Sequence, residues 1–336
     1  MREEVKALWK LCFNDSEEFV DMYFRLRYTD EINVAIQKDT AVISALQMLP
    51  YPMTFCGHTV QTSYISGACT HPDFRGKGAM RELLKLAFER MFQNSISFST
   101  LIPAEPWLFS YYAQMGYASA FQYSVEEITL PSMITSSGIK TVSISDYREE
   151  VYQYLNRKLS ERSCCIQHTS DDFRVIMTDL DISNGMLVIA RQANVINGLV
   201  IAYNTGKSLV INELFAETKD IENSLLYYLK QHNVHNRIIR LLPSNNGQSQ
   251  QSFGMARIIN APKVLQLYAA TFPELNMKFE LTDNQLPVNN GYYHIQKGKC
   301  EFSTERLPET SIRMNISELT GKLLQPLHPY MSLMLN

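Results

Sequence analysis

The sequence lacks the features that mark membrane, nucleic-acid-binding and metal-binding proteins. No segment is apolar over the length of a bilayer, and the first residues do not have a signal-peptide pattern. The six cysteines have no metal-ligand spacing and form no C-x-x-C pair. Lys and Arg number 31 against 34 Asp and Glu, a net charge of -3, whereas nucleic-acid binders usually carry a clustered basic face. We therefore expect a cytoplasmic protein with reduced thiols, without metal, membrane span or nucleic-acid partner.

The remaining composition is that of a globular protein of more than one domain. The chain has 336 residues, of which 45% are hydrophobic and 19% charged, enough to bury sizeable cores. This length favours two or three domains. The polar, turn-rich stretch 244–251 marks a boundary. We predict three domains, at residues 1–130, 131–250 and 251–336.

One order of elements occurs twice along the chain. Apolar periodicity predicts strand, strand, strand, helix, strand, and the order is the same in both parts although the sequences barely match. The first set of predicted elements is 33–37, 41–49, 59–70, the helix 80–91 and 95–102. The second set is 185–192, 195–203, 208–216, the helix 220–232 and 237–242. The pattern predicts an α/β (α+β) protein with duplicated mixed sheets, followed by a part with short strands and helices.

The most informative stretch is HPDFRGKGAMRELL, residues 71–84, which links a predicted strand to an amphipathic helix. Gly76 and Gly78 allow a sharp turn, and the first amides of a helix attract anions. Arg75 and Lys77 add positive charge. The spacing is neither that of a Walker A loop nor G-x-G-x-x-G. On these residues alone, a pyrophosphate site and a solvated basic turn are both open.

Two motifs resemble those of the GCN5-related N-acetyltransferases (GNAT). RGKGA at 75–79 is similar to the family's R-x-x-G-x-G/A signature, except that Met80 stands where Gly or Ala is usual, and SYYAQMGY at 110–117 is similar to its F-Y-x-x-x-G-F/Y segment. The segments 101–117 and 279–300 resemble the enhanced intracellular survival (Eis) branch. The resemblance implies tandem GNAT-like mixed-sheet domains followed by a small sterol-carrier-protein-like α+β domain.

The resemblance also implies an acetyl-CoA site and catalytic groups. Backbone groups of the preceding strand would hold the pantetheine arm, and the turn with the start of the helix would hold the pyrophosphate. These residues are Ala68, Cys69 and Thr70, and Arg75, Gly76, Lys77, Gly78, Ala79, Met80 and Arg81, respectively. Tyr112 would be the general acid, and a phenol with a pKa near ~10 suits proton donation to a thiolate. The terminal carboxylate of Asn336 would serve the amine, acting through water or by orienting it.

Other residues near these motifs carry weaker chemical interpretations. The apolar tail 328–336 fits a terminus packed into the protein, and packing alone is the alternative role for it. His71 is better interpreted as a surface or turn-capping histidine than as a base. Cys69 is interpreted as a small residue of the cofactor strand, and Glu105 as either a site residue or a solvated acid.

The second unit has no counterpart of the glycine turn. Its corresponding turn, ETKDIEN at 217–223, is acidic, and no glycine occurs between Gly206 and Gly247. We therefore expect one cofactor site in the first unit, with the second unit shaping the acceptor cleft.

The predicted function is acetyl transfer from acetyl-CoA to a primary amine. The resemblance implies that the acceptor is an aminoglycoside, a polyamine-like molecule or a lysine, and that the protein is a homo-oligomer. The alternative is a non-catalytic acyl-CoA or lipid-binding protein that uses its last domain.

Overall fold

A computed structural model describes residues 1–128, 139–232, 237–243, 250–308 and 310–335 of the chain. Within these residues the strands form one 12-stranded sheet and one four-stranded sheet. No described helix is long and apolar enough to cross a membrane.

The first unit places two helices before its strands. Its elements are α1 (Arg2–Cys12), α2 (Glu17–Leu26), β1 (Asn33–Lys38), β2 (Ala41–Phe55), β3 (His58–Thr70), α3 (Ala79–Gln93), β4 (Phe98–Leu101), α4 (Pro106–Gln114) and β5 (Ala118–Glu127). Ser16 caps α2 by accepting a hydrogen bond from the amide of Phe19 at 3.2 Å. The apolar stripe of α1, with Val5, Leu8 and Trp9, packs on one face of the sheet, and α3 covers the other face.

The second unit repeats this order with helices of its own. Its elements are β6 (Lys140–Ser143), α5 (Glu149–Ser160), β7 (Cys164–Ile166), α6 (Ser170–Ile182), β8 (Met186–Gln192), β9 (Val195–Asn204), β10 (Leu209–Ala216), α7 (Lys219–His232) and β11 (Ile238–Pro243). Thr169 and Asp172 form a reciprocal capping box at the start of α6. The short strand β7 pairs with β2 of the first unit.

The sheet order confirms the duplication predicted from the sequence. The large sheet runs β1-β2-β3-β4 in the first unit and β8-β9-β10-β11 in the second, with β3–β4 and β10–β11 as the parallel pairs. Strand β5 pairs antiparallel with β11, which joins the two units edge to edge. The mixed α/β fold class is therefore confirmed.

The remaining elements lie in two places. They are β12 (Gln251–Ile258), α8 (Ala261–Thr271), β13 (Met277–Thr282), β14 (Gly291–Gln296), β15 (Lys299–Ser303), β16 (Ile312–Asn315) and α9 (Ile316–Leu324). Strands β13–β16 form the four-stranded sheet in the order β15-β14-β13-β16, with the rings of Phe279 and Tyr293 stacked 5.4 Å apart in its core.

Strand β12 belongs to the large sheet although it follows both repeated units in sequence. It lies between β4 and β5 and pairs antiparallel with both. Its apolar residues Met255 and Ala256 are buried on opposite faces, as expected for an internal strand. The predicted last domain, 251–336, therefore contributes its first strand to the first unit's sheet. The division into three domains itself stays a prediction.

Candidate active site

The parallel strands β3 and β4 separate part-way along their length. They pair at Thr62–Phe98, Ser63–Ser99 and Tyr64–Thr100, after which β4 ends at Leu101 while β3 continues to Thr70. Beyond Tyr64 the described partner of β3 is β2 alone. The freed edge of β3 offers backbone groups that an extended ligand arm can pair with.

A bulge at Gly67 shapes this freed edge. The β2–β3 register shifts between Ala45 and Gln47, and Gly67 has a φ of +58°. A Cβ at Gly67 would lie 2.1 Å from the indole of Trp9, so no other residue fits unless this ring moves. The bulge precedes Ala68, which is half-buried, and it changes the pairing just before the last residues of the strand.

The turn after β3 leads into an uncapped helix start. Residues 72–74 form one 3-10 turn, in which the amide of Asp73 donates to His71 Nδ1 at 3.3 Å, which confirms the turn-capping role of this histidine. Gly76 and Gly78 have φ values of 73° and 88°, and a Cβ on either would meet no atom within 4 Å. Gly78 is the N-cap of α3 and has no side chain, so the first-turn amides have no intrahelical partner. This open, amide-lined surface fits an anionic group such as a pyrophosphate.

The two cations of the turn have different surroundings. Arg75 Nε donates to the carbonyl of Thr70 at 3.0 Å, which fastens the turn to the end of β3. Its Nη2 lies 3.7 Å from Cys12 Sγ. The contact of Cys12 with Cys69, aided by the hydrogen bond and charge of Arg75, lowers the pKa of the Cys12 thiol to about 6. Lys77 is exposed and donates to the carbonyl of Asp73 at 2.8 Å.

The rest of the predicted pyrophosphate segment is the first turn of α3. Ala79 is half-buried and Arg81 is exposed. Met80 packs against the core between α3 and α4, which gives a physical reason for its departure from the small residue usual at this position. The side chain fills space on the protein side of the turn.

Tyr112 lies on α4 in the same core as α3. Its ring makes edge contacts with Tyr111 at 5.4 Å and Tyr117 at 5.7 Å. Burial raises the pKa of Tyr112 above its ordinary value, so the phenol keeps its proton at neutral pH. Burial raises the pKa of Tyr64, the last β3 residue paired with β4, and the nearby Tyr112 adds to this effect. The phenol therefore lies near the point where the strands separate.

Glu105, the N-cap of α4, lies at an open cavity of about 460 Å³. The loop 103–106, Phe109, Ser119 and Ser252 line it. Trp107, with 66% of its surface exposed, stands on the same first turn of α4. No hydrogen bond from Glu105 caps the helix, so its carboxylate is free to meet a ligand or water.

The C-terminal tail is buried between the two units, as its apolar composition predicted. Residues 331–335 are all buried. The amide of Tyr330 donates to Cys164 O at 2.9 Å and its carbonyl accepts from Ile166 N at 3.0 Å, so the tail pairs in parallel beside β7. Glu213 accepts hydrogen bonds from the Tyr330 hydroxyl, at 2.8 Å, and from the Ser332 hydroxyl. Asn336, the predicted catalytic terminus, lies outside the described residues.

Two buried charges near these elements were not predicted. Glu213 is fully buried under the tail, and burial raises its pKa. Arg257 on β12 donates to the carbonyl of Met115 at the end of α4 and pairs with Asp283. In the sequence, each of these two charges is indicated only by a single Glu or Arg within an apolar strand. That pattern does not identify the residue with which the charge interacts.

The second unit closes the helix start that the first leaves open. Thr218 Oγ1 accepts from the amide of Ile221 at 3.3 Å at the start of α7. A side chain thus occupies the position that an anion would take.

Comparison with known families assigns the first unit. Residues 2–120 match the family model described as the acetyltransferase (GNAT) domain. The first unit is a GNAT acetyltransferase domain. The protein is accordingly an N-acetyltransferase with acetyl-CoA as its co-substrate. A comparison with the curated proteins gave no significant match.

The chain is similar over nearly its whole length to several solved structures. A GCN5-related N-acetyltransferase from Anabaena variabilis has a TM-score of 0.76 and 17% identity, covering 98% of this chain and 96% of its own. A probable N-acyltransferase from Enterococcus faecalis has a TM-score of 0.73 and 17% identity, with 95% and 86% covered. Eis1 from Mycobacterium abscessus has a TM-score of 0.70 and 11% identity, with 96% and 87% covered. At these identities the likeness shows the fold, and the Eis-like architecture agrees with the sequence resemblance.

Proposed function

We propose that the protein acetylates a primary amine by direct attack of the amine on acetyl-CoA within a ternary complex. The observation that carries the proposal is the separation of β3 from β4 immediately before an uncapped, glycine-lined helix start. One site thereby offers a strand edge for the pantetheine arm and free amides for the pyrophosphate. The acetyl group, attached to the end of that arm, would then lie near the point of separation.

The residues present fit this cofactor. The freed backbone of Ala68, Cys69 and Thr70 can pair with the amide groups of the pantetheine arm. The turn and first helical amides, residues 75–81, can receive the pyrophosphate because the space outside Gly76 and Gly78 is open. When bound, acetyl-CoA supplies the thioester that the amine attacks.

Tyr112 is proposed as the acid that protonates the departing thiolate. Acetyl transfer forms a C–N bond and breaks the C–S bond, so the sulfur needs a proton when it leaves. The phenol is protonated at neutral pH even at its ordinary pKa of ~10, and burial of Tyr112 raises that pKa, so the group is present in its acid form. The proposed partner for the amine proton is the terminal carboxylate of Asn336, and the burial of the preceding residues 331–335 supports a terminus held inside the protein.

The finer features of the resemblance form part of the same proposal. The acceptor is proposed to be a small amine, an aminoglycoside, polyamine-like molecule or lysine. Residues 251–336 are proposed to have a sterol-carrier-protein-like fold, supported by their four-stranded sheet with α8 packed on it. The protein is proposed to act in the cytoplasm as a homo-oligomer.

The test compares Tyr112→Phe with Tyr111→Phe, its neighbour on the same helix. CoA release is measured with a thiol reagent over a broad amine panel, and acetyl-CoA affinity is measured by calorimetry. We expect Tyr112→Phe to lower kcat about 10²–10⁴-fold with unchanged acetyl-CoA affinity, since general acid catalysis contributes on that scale. Tyr111→Phe should turn over within about twofold of wild type.

Each part of the proposal fails on a different result. Unchanged turnover in Tyr112→Phe would remove this residue as the acid. A wild-type protein that binds acetyl-CoA but acetylates none of the amines would instead be a non-catalytic acyl-CoA-binding protein.

A further inference from the structure

A buried ion pair joins the two units at α2 and α6. Arg27, the C-cap of α2, donates from Nη1 to one oxygen of Asp172 in the first turn of α6. The other Asp172 oxygen accepts from the amide and the hydroxyl of Thr169, each at 2.7 Å. The carboxylate is thus satisfied through both oxygens, while the guanidinium has used one of its three nitrogens.

The opposite edge of the Arg27 guanidinium has no charged partner among the described residues. Nε and Nη2 are buried, and neither makes a well-formed hydrogen bond within the described residues, where the Tyr51 hydroxyl is their polar neighbour. These two nitrogens share one edge of the planar group, so their N–H bonds run parallel and match the two oxygens of a carboxylate. Buried charged donors are costly to leave unpaired. The edge can therefore pair with an anion that the described residues do not supply.

The surrounding polar atoms have a consistent arrangement. The ring of Tyr51 lies under the guanidinium, 5.2 Å from its centre. Tyr23, fully buried, has an unpartnered hydroxyl on the same side of the sheet. His168 makes an edge contact with Tyr51 at 5.5 Å, and the Arg27 charge helps to lower its pKa. The cluster therefore belongs to one interior region between α2, α6 and the sheet.

His168 adds an acceptor to these donors. Its Nε2 lies 3.0 Å from the carbonyl of Ser332, and because a carbonyl only accepts, Nε2 carries the proton. Burial lowers the pKa of His168, so the ring is neutral and Nδ1 has a lone pair. Nδ1 is buried without a partner among the described residues. The cluster thus has a cationic fork for a carboxylate and a lone pair for an N–H group.

The cluster is continuous with the point where β3 and β4 separate. The ring of Tyr51 makes an edge contact with that of Tyr64 at 6.3 Å. Tyr64 is the last β3 residue paired with β4, and the acetyl group would lie beyond it under the proposed function. A molecule whose carboxylate reached Arg27 would extend past two aromatic rings toward the thioester.

We propose that the acceptor amine carries a carboxylate, and that the Nε–Nη2 edge of Arg27 binds it. The substrate class is an amino acid or an amine of amino-acid type, in contrast to a purely cationic polyamine. This inference rests on the proposed function, because it assigns the acceptor of the proposed acetyl transfer. Its test includes a binding measurement that does not depend on turnover.

The first measurement compares acceptors that differ only in the carboxylate. Acetyl-CoA consumption is followed with 4-aminobutyrate against butylamine and 6-aminohexanoate against hexylamine. Since a bidentate charge-assisted pair in a buried site is among the stronger hydrogen-bonded contacts, we expect kcat/KM to be about tenfold or more higher for the acid of each pair.

The variant Arg27→Lys separates recognition from folding. A lysine can keep the ion pair with Asp172 but has no second, parallel edge. We expect its preference for the acid over the alkylamine to fall below about threefold. The control is Arg25→Lys, an exposed arginine on the same helix, which should keep the wild-type preference.

The binding readout uses product analogues with CoA present. Calorimetry compares 6-acetamidohexanoate with N-hexylacetamide on wild type and Arg27→Lys. The carboxylate site is supported if wild type binds the acid selectively and Arg27→Lys does not. This holds even if no amine is acetylated, and in that case only the proposed function fails. The inference is overturned if wild type acts on, or binds, the acid and its neutral counterpart equally well. It is also overturned if Arg27→Lys keeps the wild-type preference for the acid.

Discussion

Removing Arg257 tests whether the fully buried ion pair with Asp283 holds the end of α4. Arg257 Nη2 donates to both Asp283 oxygens at 2.9 and 2.7 Å, and both side chains are 0% exposed. Nη1 donates to the carbonyl of Met115 at 3.0 Å, and the guanidinium lies 4.3 Å from the centre of the Phe88 ring. The Arg257→Met variant keeps much of the volume but leaves a buried carboxylate without its counter-charge.

The expected cost follows from this burial. Breaking one partner of a buried pair costs about 3–5 kcal/mol, and no discount for solvent screening applies at zero exposure. With a urea dependence near ~3 kcal/mol per molar, the unfolding midpoint should fall by about 1–1.7 M. Asp283 keeps a hydrogen bond from Asn289 Nδ2 at 3.0 Å, which favours the lower half of the range.

The assay is equilibrium urea unfolding followed by circular dichroism. The double variant Arg257→Met with Asp283→Asn should recover part of the loss, because it removes the unpaired charge while the side-chain oxygen still accepts from the amides of Gln285 and Leu286. A single-variant loss below about 1 kcal/mol, or a double variant worse than the single one, would refute this reasoning.

Further predictions concern the turn after α4 and the thiol beside Arg75. Gly116→Ala should destabilise more than Gly57→Ala in urea unfolding: φ is positive at both, but only the Cβ at 116 would lie 2.0 Å from Arg257 Nη1. Gly57→Ala should lower the free energy of unfolding by only ~1–2 kcal/mol, the cost of a left-handed backbone at alanine. Equal losses in the two variants would contradict the contact between a Cβ at 116 and Arg257. Cys12 alkylation by iodoacetamide should rise with a midpoint near pH 6, whereas Cys300, whose pKa burial raises to about 12, should stay unreactive at pH 8. Because folding lowers the Cys12 pKa, its thiolate stabilises the fold above the ordinary thiol pKa, and this contribution is lost as pH falls through about 6. A Cys12 midpoint near pH 8.5 would show that its contacts with Cys69 and Arg75 do not act on it.

The order of strands and helices was predictable from the sequence because it depends on the local periodicity of apolar residues. The repeated strand and helix order followed from apolar spacing, because each strand alternates or runs apolar and each helix has one apolar face. The site turn was predictable because it contains Gly76 and Gly78. Both have positive φ, a conformation that glycine adopts readily, so the glycines mark the turn in the local sequence. The packed tail was predictable from its apolar residues.

The features that sequence reasoning missed depend on distant pairing. Nothing local in 251–258 indicates that β12 inserts between β4 and β5, since an internal strand has the same apolar pattern in any sheet. The pairing of Arg257 with Asp283 and of Arg27 with Asp172 joins residues far apart in sequence. Tertiary packing selects those partners, so a single sequence does not reveal them.

The central claim is that the open turn before α3 receives the pyrophosphate of acetyl-CoA. The most direct measurement is acetyl-CoA binding by calorimetry to wild type, Gly78→Asp and Gly206→Asp. Both glycines have positive φ and open space around a Cβ, but only Gly78 lies at the proposed site. We expect Gly78→Asp to weaken binding at least about tenfold through like-charge repulsion, while Gly206→Asp binds as wild type. Equal affinity of Gly78→Asp and wild type would contradict the pyrophosphate site.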